Sequence, residues 1–342
     1  GDVYKRQFLN FAGNQAVKHE CIVRIWRVVD RNLFHRNYLK SKPVCCVSID
    51  IPTNILLSSR TGMDEPDFTP LRSKLIDSAR LADGEFLELA NSASLAQLAL
   101  LADEMRQRCN PGRLVTYLID RNINYTNVCH TDCSFCGFYR HSSDHPEAYV
   151  NSNAAIGTKI EEARELGATR ILLQGGHNDQ LPYEYYLELI DWIHTHYEIE
   201  INAFSPSEIQ QMQRISGKSY REILSELKIA GMRGLPGGGA EILDDEVRKR
   251  VSPKKISADE WIRVMRVAHE LELTTTATMV IGFGETLEQR LNHWRRIRKL
   301  QDESRHNGLQ GFNAFIAWPL QHNKNTSMGR SRHANNFGAS AV

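Results

Sequence analysis

Between residues 113 and 320 the chain alternates short apolar runs of strand length with stretches whose apolar positions recur at helical spacing. The runs LVTYLIDRNIN, TRILLQGG, EIEINAFSP, RGLPGGGAEIL, TTTATMVIGFGE and GFNAFIAWPL predict six strands, the fourth passing into a loop. Helices are predicted between them. TKIEEARELG is a short one ended by Gly167, and Tyr186, Leu189, Ile190 and Ile193 mark the buried stripe of the next. Ser219 with Glu222 caps a helix that buries Tyr220, Ile223, Leu224 and Leu227. Ser257 with Glu260 caps another, with Trp261, Val264, Met265 and Ala268 inward, and Thr286 with Gln289 starts one more. Upstream, residues 71–109 read as helices. Ser94 and Gln97 form a capping box before Leu98, Leu101, Ala102 and Met105, and Asn110-Pro111-Gly112 ends that helix.

Strand and helix in strict alternation predict an α/β fold of parallel βα units with right-handed crossovers, wound as a partial barrel. The distinctive segments all lie just past strand ends: the cysteines, QGGHN, FSPSE, PGGGAE, GFGET and WPLQ. In a (β/α) barrel that is the face on which sites are built. Six strand ends then point to one mouth.

Composition narrows the class. The 342 residues are 41% hydrophobic and carry a formal net charge of +1, enough for a large core and without a general pull towards nucleic acid. No apolar run approaches the ~20 residues of a membrane span. Seven cysteines, three of them clustered, argue against a disulfide framework and for the reducing cytoplasm. Residues 1–62 carry ten Lys/Arg against four Asp/Glu, contain no methionine before Met63 and lack clean periodicity. They read either as a basic arm for an anionic partner or, the preferred reading, as a non-native or disordered extension, with Met63 the natural start. Cys21, Cys45 and Cys46 then carry no chemistry. The expected organisation is this extension, an N-terminal helical segment over 63–112, a barrel over 113–325 and an irregular, truncated tail over 326–342.

The chemistry concentrates in residues 121–140, RNINYTNVCHTDCSFCGFYR, where Cys129, Cys133 and Cys136 stand in a CxxxCxxC pattern. Thiolates ligate soft metals, and this spacing lets one loop wrap one metal centre. Three thiols suit a 4Fe-4S cluster with one iron left without a protein ligand. A zinc site takes a fourth Cys or His, and His130 lies within the loop, so both readings stand on spacing alone. A third reading, three reduced thiols packed as hydrophobes, fits poorly with Thr131, Asp132 and Ser134 beside them.

The cysteine loop at the end of the first strand, with Phe135 before its last cysteine, resembles the radical S-adenosylmethionine superfamily. So does the strand end Gln174-Gly175-Gly176. DRNINYTNVC, CGFYR, LLQGGHN, FSPSEI, GLPGGGAEIL, TATMVIGFGET and FNAFIAWPLQ are similar, within it, to the dehypoxanthine futalosine cyclases of menaquinone biosynthesis, over residues 75–330. Aminofutalosine synthases and FO synthases share the loop and are the sister readings. The resemblance implies a cluster on Cys129, Cys133 and Cys136, its fourth iron taking the amino and carboxylate groups of S-adenosylmethionine. Phe135, Gln174, Gly175, Gly176, Glu241 and Glu285 are the implied cofactor-binding residues. The 5′-deoxyadenosyl radical would take the ribose 4′ hydrogen of dehypoxanthine futalosine, and the sugar radical would add to the benzoate ring. Loss of an electron and a proton then restores aromaticity. Glu241 and His177 are the candidate catalytic bases. Arg121 and Arg140 are candidates for the benzoate or for structural ion pairs. An electron donor such as flavodoxin or ferredoxin is the implied partner, with neither nucleic acid nor membrane. Two departures stand out: Asn202 replaces a histidine common before AFSP, and the portion expected after NTxxGR is missing or replaced, which predicts an unclosed barrel.

Overall fold

The computed structural model describes residues 67–77, 79–112, 114–321 and 325–330, together with the backbone of two short strands, β1 (Ile22–Ile25) and β2 (Cys46–Ser48). The expectations for residues 1–62 and for the tail beyond 330 fall outside them, those two strands apart. Contacts divide the chain into two compact units, residues 25–117 and residues 118–342 with 1–24.

In the first unit, β2 pairs antiparallel with the opening residues of β3 (Leu114–Asn124), Cys46 opposite Thr116. Three helices follow the predicted helical span: α1 (Thr69–Ile76), α2 (Asp83–Ser92) and α3 (Leu95–Cys109). Their small core is Phe68, Leu71, Leu89 and Leu101. Ser94 caps α3 in the predicted box with Gln97. Arg108 Nη1 donates to the Leu75 and Ile76 carbonyls, closing the end of α1.

The second unit carries six parallel strands in sequence order, β3, β4 (Arg170–Gln174), β5 (Glu200–Ala203), β6 (Gly234–Leu235), β7 (Thr274–Ile281) and β8 (Phe312–Pro319). This is the half-barrel expected from the alternation of elements. Register follows from the side-chain period of two. Ile171, Leu173, Ile201, Ala203, Leu235 and Ala277 face the helices and enter the main core. The alternate positions Asn122, Leu172, Asn202 and Gly234 lie side by side across four strands. Asn122 and Asn202, with Asn124, Gln174, Thr276 and Thr278 at the same alternation, make this face largely polar, Leu172 being the apolar exception. β8 is the outer strand of the described sheet, with Phe315 and Trp318 exposed.

The helices α4 (Asn153–Glu165), α5 (Tyr183–His196), α7 (Tyr220–Ala230), α9 (Ala258–Glu270) and α10 (Leu287–His306) fill the predicted places. Ser219, Ser257 and Thr286 each accept the expected backbone N–H at their N-caps. α4 starts five residues earlier than predicted, capped by Ser152. Gly157 lies inside it because a Cβ there would sit 2.3 Å from the Tyr197 hydroxyl at the end of α5. Two helices escape the sequence pattern, α6 (Pro206–Ser216) and α8 (Asp245–Val251). α6 buries Glu208 and Gln211 beside Ile209 and Met212, so its inner face is not an apolar stripe. α8 has only seven residues, too few for a period to register. A last turn of helix, α11 (Ser327–Arg330), ends the described chain.

Candidate active site at the barrel mouth

The cysteine loop leaves β3 at the mouth. Cys129 and Cys133 are buried and Cys136 is half-buried, and these three with Cys109 are free thiols among the described residues. Thr131 Oγ1 lies 3.1 Å from Cys129 Sγ and 3.4 Å from Cys133 Sγ, so one hydroxyl spans two thiols. Burial raises the Cys133 and Cys136 thiols, and Lys255 opposes the rise at both. The far side of the loop is pinned to α8, with Ser134 N–H and Oγ both donating to the Val251 carbonyl at 2.8 and 3.0 Å. Asp132 takes a positive φ of 53° and forms an ion pair with Lys254, with His141 Nδ1 3.1 Å from its other oxygen.

His130 does not join the thiols. Its Nδ1 lies 3.3 Å from Asp179 Oδ2 and its Nε2 is 2.9 Å from Arg214 Nη2, so both ring nitrogens are engaged elsewhere. This leaves the zinc reading without the fourth ligand it drew from the loop. Among the described residues no three His, Cys, Asp or Glu side chains are arranged to hold a single ion.

The glycine pair at the end of β4 is pressed onto the loop. A Cβ on Gly176 would fall 2.2 Å from the Val128 carbonyl oxygen and 2.8 Å from Cys129 Cβ. A Cβ on Gly175 would fall 2.5 Å from the ring of Tyr125. Only glycine permits this approach. Gln174 joins three strand ends: its carbonyl accepts from Tyr125 N–H at 3.3 Å, its Nε2 donates to the Phe204 carbonyl at 3.2 Å, and a Cβ on Gly238 would lie 2.9 Å from that Nε2.

Glu241 stands in the loop between β6 and α8 with φ of 46°, a conformation that costs a non-glycine residue energy and collects at functional sites. Its Oε1 accepts from Lys255 Nζ at 2.7 Å. Burial lowers the Lys255 ammonium, but Cys133 and Glu241 outweigh it and the net shift is upward. Lys255 also lies 5.9 Å from the ring centroid of Phe135, which packs on Phe283 at 4.9 Å. The buried Arg248 of α8 gathers the turn before Glu241, donating to the carbonyls of Ala240 at 2.5 Å, Gly239 at 3.1 Å and Ile256 at 2.9 Å.

The other expected residues are more tightly committed. His177 is buried against His130, ring centroids 5.9 Å apart, and burial drops its pKa to about 3, which keeps the imidazole neutral. Glu285 spends its carboxylate on its own loop: Gly282 N–H at 3.0 Å, Phe283 N–H at 2.7 Å and Arg290 Nε at 2.8 Å. Arg121 pairs with Glu162 at 2.5 Å and Arg140 pairs with Glu147. Asn202 is buried on β5 with Oδ1 unpartnered, facing the space where Gly234 lacks a Cβ.

Two residues at the mouth carry no role in the sequence reading. Lys255 follows a turn after Pro253 and shows no pattern of its own. Glu208 is better signalled, because Ser205 and Glu208 have the S-x-x-E spacing of a capping box. Ser205 Oγ donates to Glu208 Oε2 at 2.7 Å, and Glu208 Oε1 accepts from Tyr125 Oη at 2.8 Å and Gly175 N–H at 2.9 Å.

The chain has relatives among known proteins. The Radical SAM superfamily profile matches residues 123–297. The cyclic dehypoxanthine futalosine synthase of Halalkalibacterium halodurans is 39% identical over 260 residues, covering 76% of this chain and 68% of the relative. The 5-amino-6-(D-ribitylamino)uracil–L-tyrosine 4-hydroxyphenyl transferase of Methanopyrus kandleri is 39% identical over 212 residues, covering 62% of this chain and 56% of the relative. The crystal structure of methylornithine synthase superposes with a TM-score of 0.60 at 16% identity, over 78% of this chain and 73% of that one, a likeness of fold. Among the described residues no helix is long and apolar enough to cross a membrane.

Proposed function

The chain belongs to the radical SAM superfamily, and from that premise we propose that it cyclises dehypoxanthine futalosine in menaquinone biosynthesis. The observation that carries the substrate is the match to the synthase of that name, which extends further along the chain than the match to the transferase. The superfamily implies a 4Fe-4S cluster and S-adenosylmethionine, and the residues present fit both. Three thiols share one loop, His130 is turned away, and the neighbouring glycine pair has no side chain to fill the approach. Bound together, cluster and S-adenosylmethionine supply a 5′-deoxyadenosyl radical by one-electron cleavage of the sulfonium.

In this reading Cys129, Cys133 and Cys136 are the cluster ligands. Gly175 and Gly176 offer backbone carbonyls to the methionine amino group, with Gln174 holding the strand end in place. Phe135, packed at a tilt against Phe283, keeps water from the loop. Glu285 shapes the β7–α10 turn, which would receive the adenosine portion. Removal of the substrate's ribose 4′ hydrogen would be followed by ring addition, and the cyclised radical would then return one electron to the oxidised form of the low-potential carrier and give up one proton. Glu241 takes that proton, since it stands at the mouth beside Lys255, whereas burial opposes charging His177. The donated electron enters from an acidic low-potential carrier of the flavodoxin or ferredoxin type. The exposed Lys249, Arg250 and Lys254 line the stretch of α8 and its following turn that is bonded to the cysteine loop. Free thiols throughout the described residues support a reducing, cytoplasmic setting.

The test is incubation of reduced, cluster-reconstituted protein with S-adenosylmethionine and dehypoxanthine futalosine. The expected result is 5′-deoxyadenosine and the cyclised product in equal amounts. Cleavage without cyclisation, or turnover only with 5-amino-6-(D-ribitylamino)uracil and tyrosine, overturns the reading.

A further inference from the structure

We propose that Glu208 is a positioning residue for S-adenosylmethionine: its carboxylate holds the Gly175–Gly176 strand end so that two backbone carbonyls stay free for the ligand's amino group. This rests on the cofactor part of the function proposed above and not on the identity of the substrate.

The geometry runs through one short stretch of backbone. Gly175 N–H donates to Glu208 Oε1 at 2.9 Å, and Gly176 N–H donates to the Thr126 carbonyl at 3.0 Å. In a trans peptide the carbonyl points opposite to the N–H of the same unit. The Gln174 carbonyl therefore points away from Glu208, where Tyr125 N–H and Asn124 Nδ2 take it at 3.3 and 3.1 Å. The Gly175 carbonyl likewise points away from Thr126. Among the described residues no protein donor reaches the carbonyl of Gly175 or of Gly176. Without the Glu208 contact the peptide plane between Gln174 and Gly175 loses its tether on the N–H side, and a glycine pair has the widest freedom to rotate.

Glu208 is itself built into place. The chain leaves β5 with Phe204 at φ of 65°, and this turn starts α6 with Ser205 as its N-cap. All three groups that meet the carboxylate are donors: Tyr125 Oη, Gly175 N–H and Ser205 Oγ. Such a pocket suits a carboxylate, whereas a carboxylic acid or an amide brings its own O–H or N–H and forces one of the two hydroxyls to turn and accept it. Tyr125 is in turn wedged between Tyr185, Tyr186 and Phe204, ring centroids 6.1, 5.9 and 5.9 Å away.

The same site makes the tether depend on pH. Burial raises the Glu208 pKa to about 7, against the pull of Ser205, Tyr125, Gly175 and Lys255. The other groups facing it do not titrate near neutrality. Burial lifts the phenols of Tyr125 and Tyr186, and the net shift of Lys255 is upward.

The experiment uses cluster-reconstituted protein and S-adenosylmethionine itself. The dissociation constant is read from the change that the ligand makes in the spectrum of the reduced cluster, from about pH 6 to about pH 8.5. Iron content and circular dichroism serve as controls. The unsubstituted protein should bind more tightly as pH rises through about 7. Glu208→Gln should bind about ten- to a hundredfold more weakly at high pH and lose the step near about 7, keeping only the titration of the ligand's own α-amino group near about 8. Tyr125→Phe keeps its ring against Gly175 but removes one donor, so its midpoint should move to higher pH while its high-pH affinity stays near normal. A purely structural role for Glu208 does not move that midpoint. The same pH profile for the unsubstituted protein and Glu208→Gln, or equal affinity for Glu208→Gln at high pH, overturns the proposal. Should Glu208→Gln not fold, an unmoved Tyr125→Phe midpoint does the same. Failure of the cyclase reading shows separately, as bound and cleaved S-adenosylmethionine without cyclised product.

Discussion

Lys255 Nζ donates to Glu241 Oε1 across 2.7 Å, an ion pair whose side chains are only 15% and 9% exposed. Removing one member of a buried pair leaves a charge without compensation, at a cost of about 3–5 kcal/mol, whereas removing both costs far less. Lys255→Met should therefore lower stability in urea denaturation by that order, and adding Glu241→Gln should recover a large part of it. If the double variant is no more stable than Lys255→Met, the two residues are not energetically coupled.

The three clustered thiols and Cys109 should separate cleanly. Cys129→Ala, Cys133→Ala and Cys136→Ala are each expected to lose most of the iron and sulfide taken up on anaerobic reconstitution. Cys109→Ser should retain it, since Cys109 ends α3 and lies outside the CxxxCxxC loop. A Cys133→Ala protein with full iron and intact cleavage of S-adenosylmethionine would remove it from the ligand set.

Glycine substitutions give a steric contrast. A Cβ at Gly176 meets the backbone of Val128 and Cys129 Cβ, neither of which can swing aside. Gly176→Ala should cost about 1–3 kcal/mol and reduce cluster loading. Gly84, near the start of α2, has nothing within 4 Å of its would-be Cβ, and Gly84→Ala should gain up to about 1 kcal/mol. Thermal denaturation of the two variants side by side decides this, and a harmless Gly176→Ala contradicts the close approach.

Acid should weaken the fold partly through His269. Its Nδ1 meets Ser304 Oγ at 2.7 Å and its Nε2 meets Thr275 Oγ1 at 2.8 Å, and burial lowers its pKa from 6.5 to about 4. A histidine whose folded pKa is depressed stabilises above its unfolded value, and that contribution is lost as pH falls from about 6.5 towards about 4. Across this window His269 accounts for up to about 3 kcal/mol. His269→Gln should take close to one proton out of the slope of unfolding free energy against pH. An unchanged slope excludes this origin.

Lys249→Glu combined with Lys254→Gln tests the basic face beside the cysteine loop. Reduction by an acidic carrier protein should slow about tenfold at low ionic strength, with the difference fading as salt is added. Reduction by dithionite should be unaffected. Equal slowing with both reductants points to damage in the loop rather than to docking.

Much of this protein is legible along the chain because its signals are local. Period and capping need only a few neighbouring residues, so the six strands and the caps at Ser94, Ser219, Ser257 and Thr286 follow from order alone. The cysteines likewise announce a metal centre by spacing within one loop. α6 and α8 are harder to see, the first because it buries a carboxylate and an amide, the second because it is so short. What tertiary structure decided lies between residues far apart. Tyr125 and Glu208 are 83 positions distant, and Ser134 and Val251 are 117. Only the register of parallel strands brings their ends to one mouth. That closure turned His130 from the thiols to Asp179 and Arg214, and spent Glu285 on its own loop. It also placed Lys255 on Glu241 and Glu208 behind the glycines, where burial and hydrogen bonding give each carboxylate its chemistry.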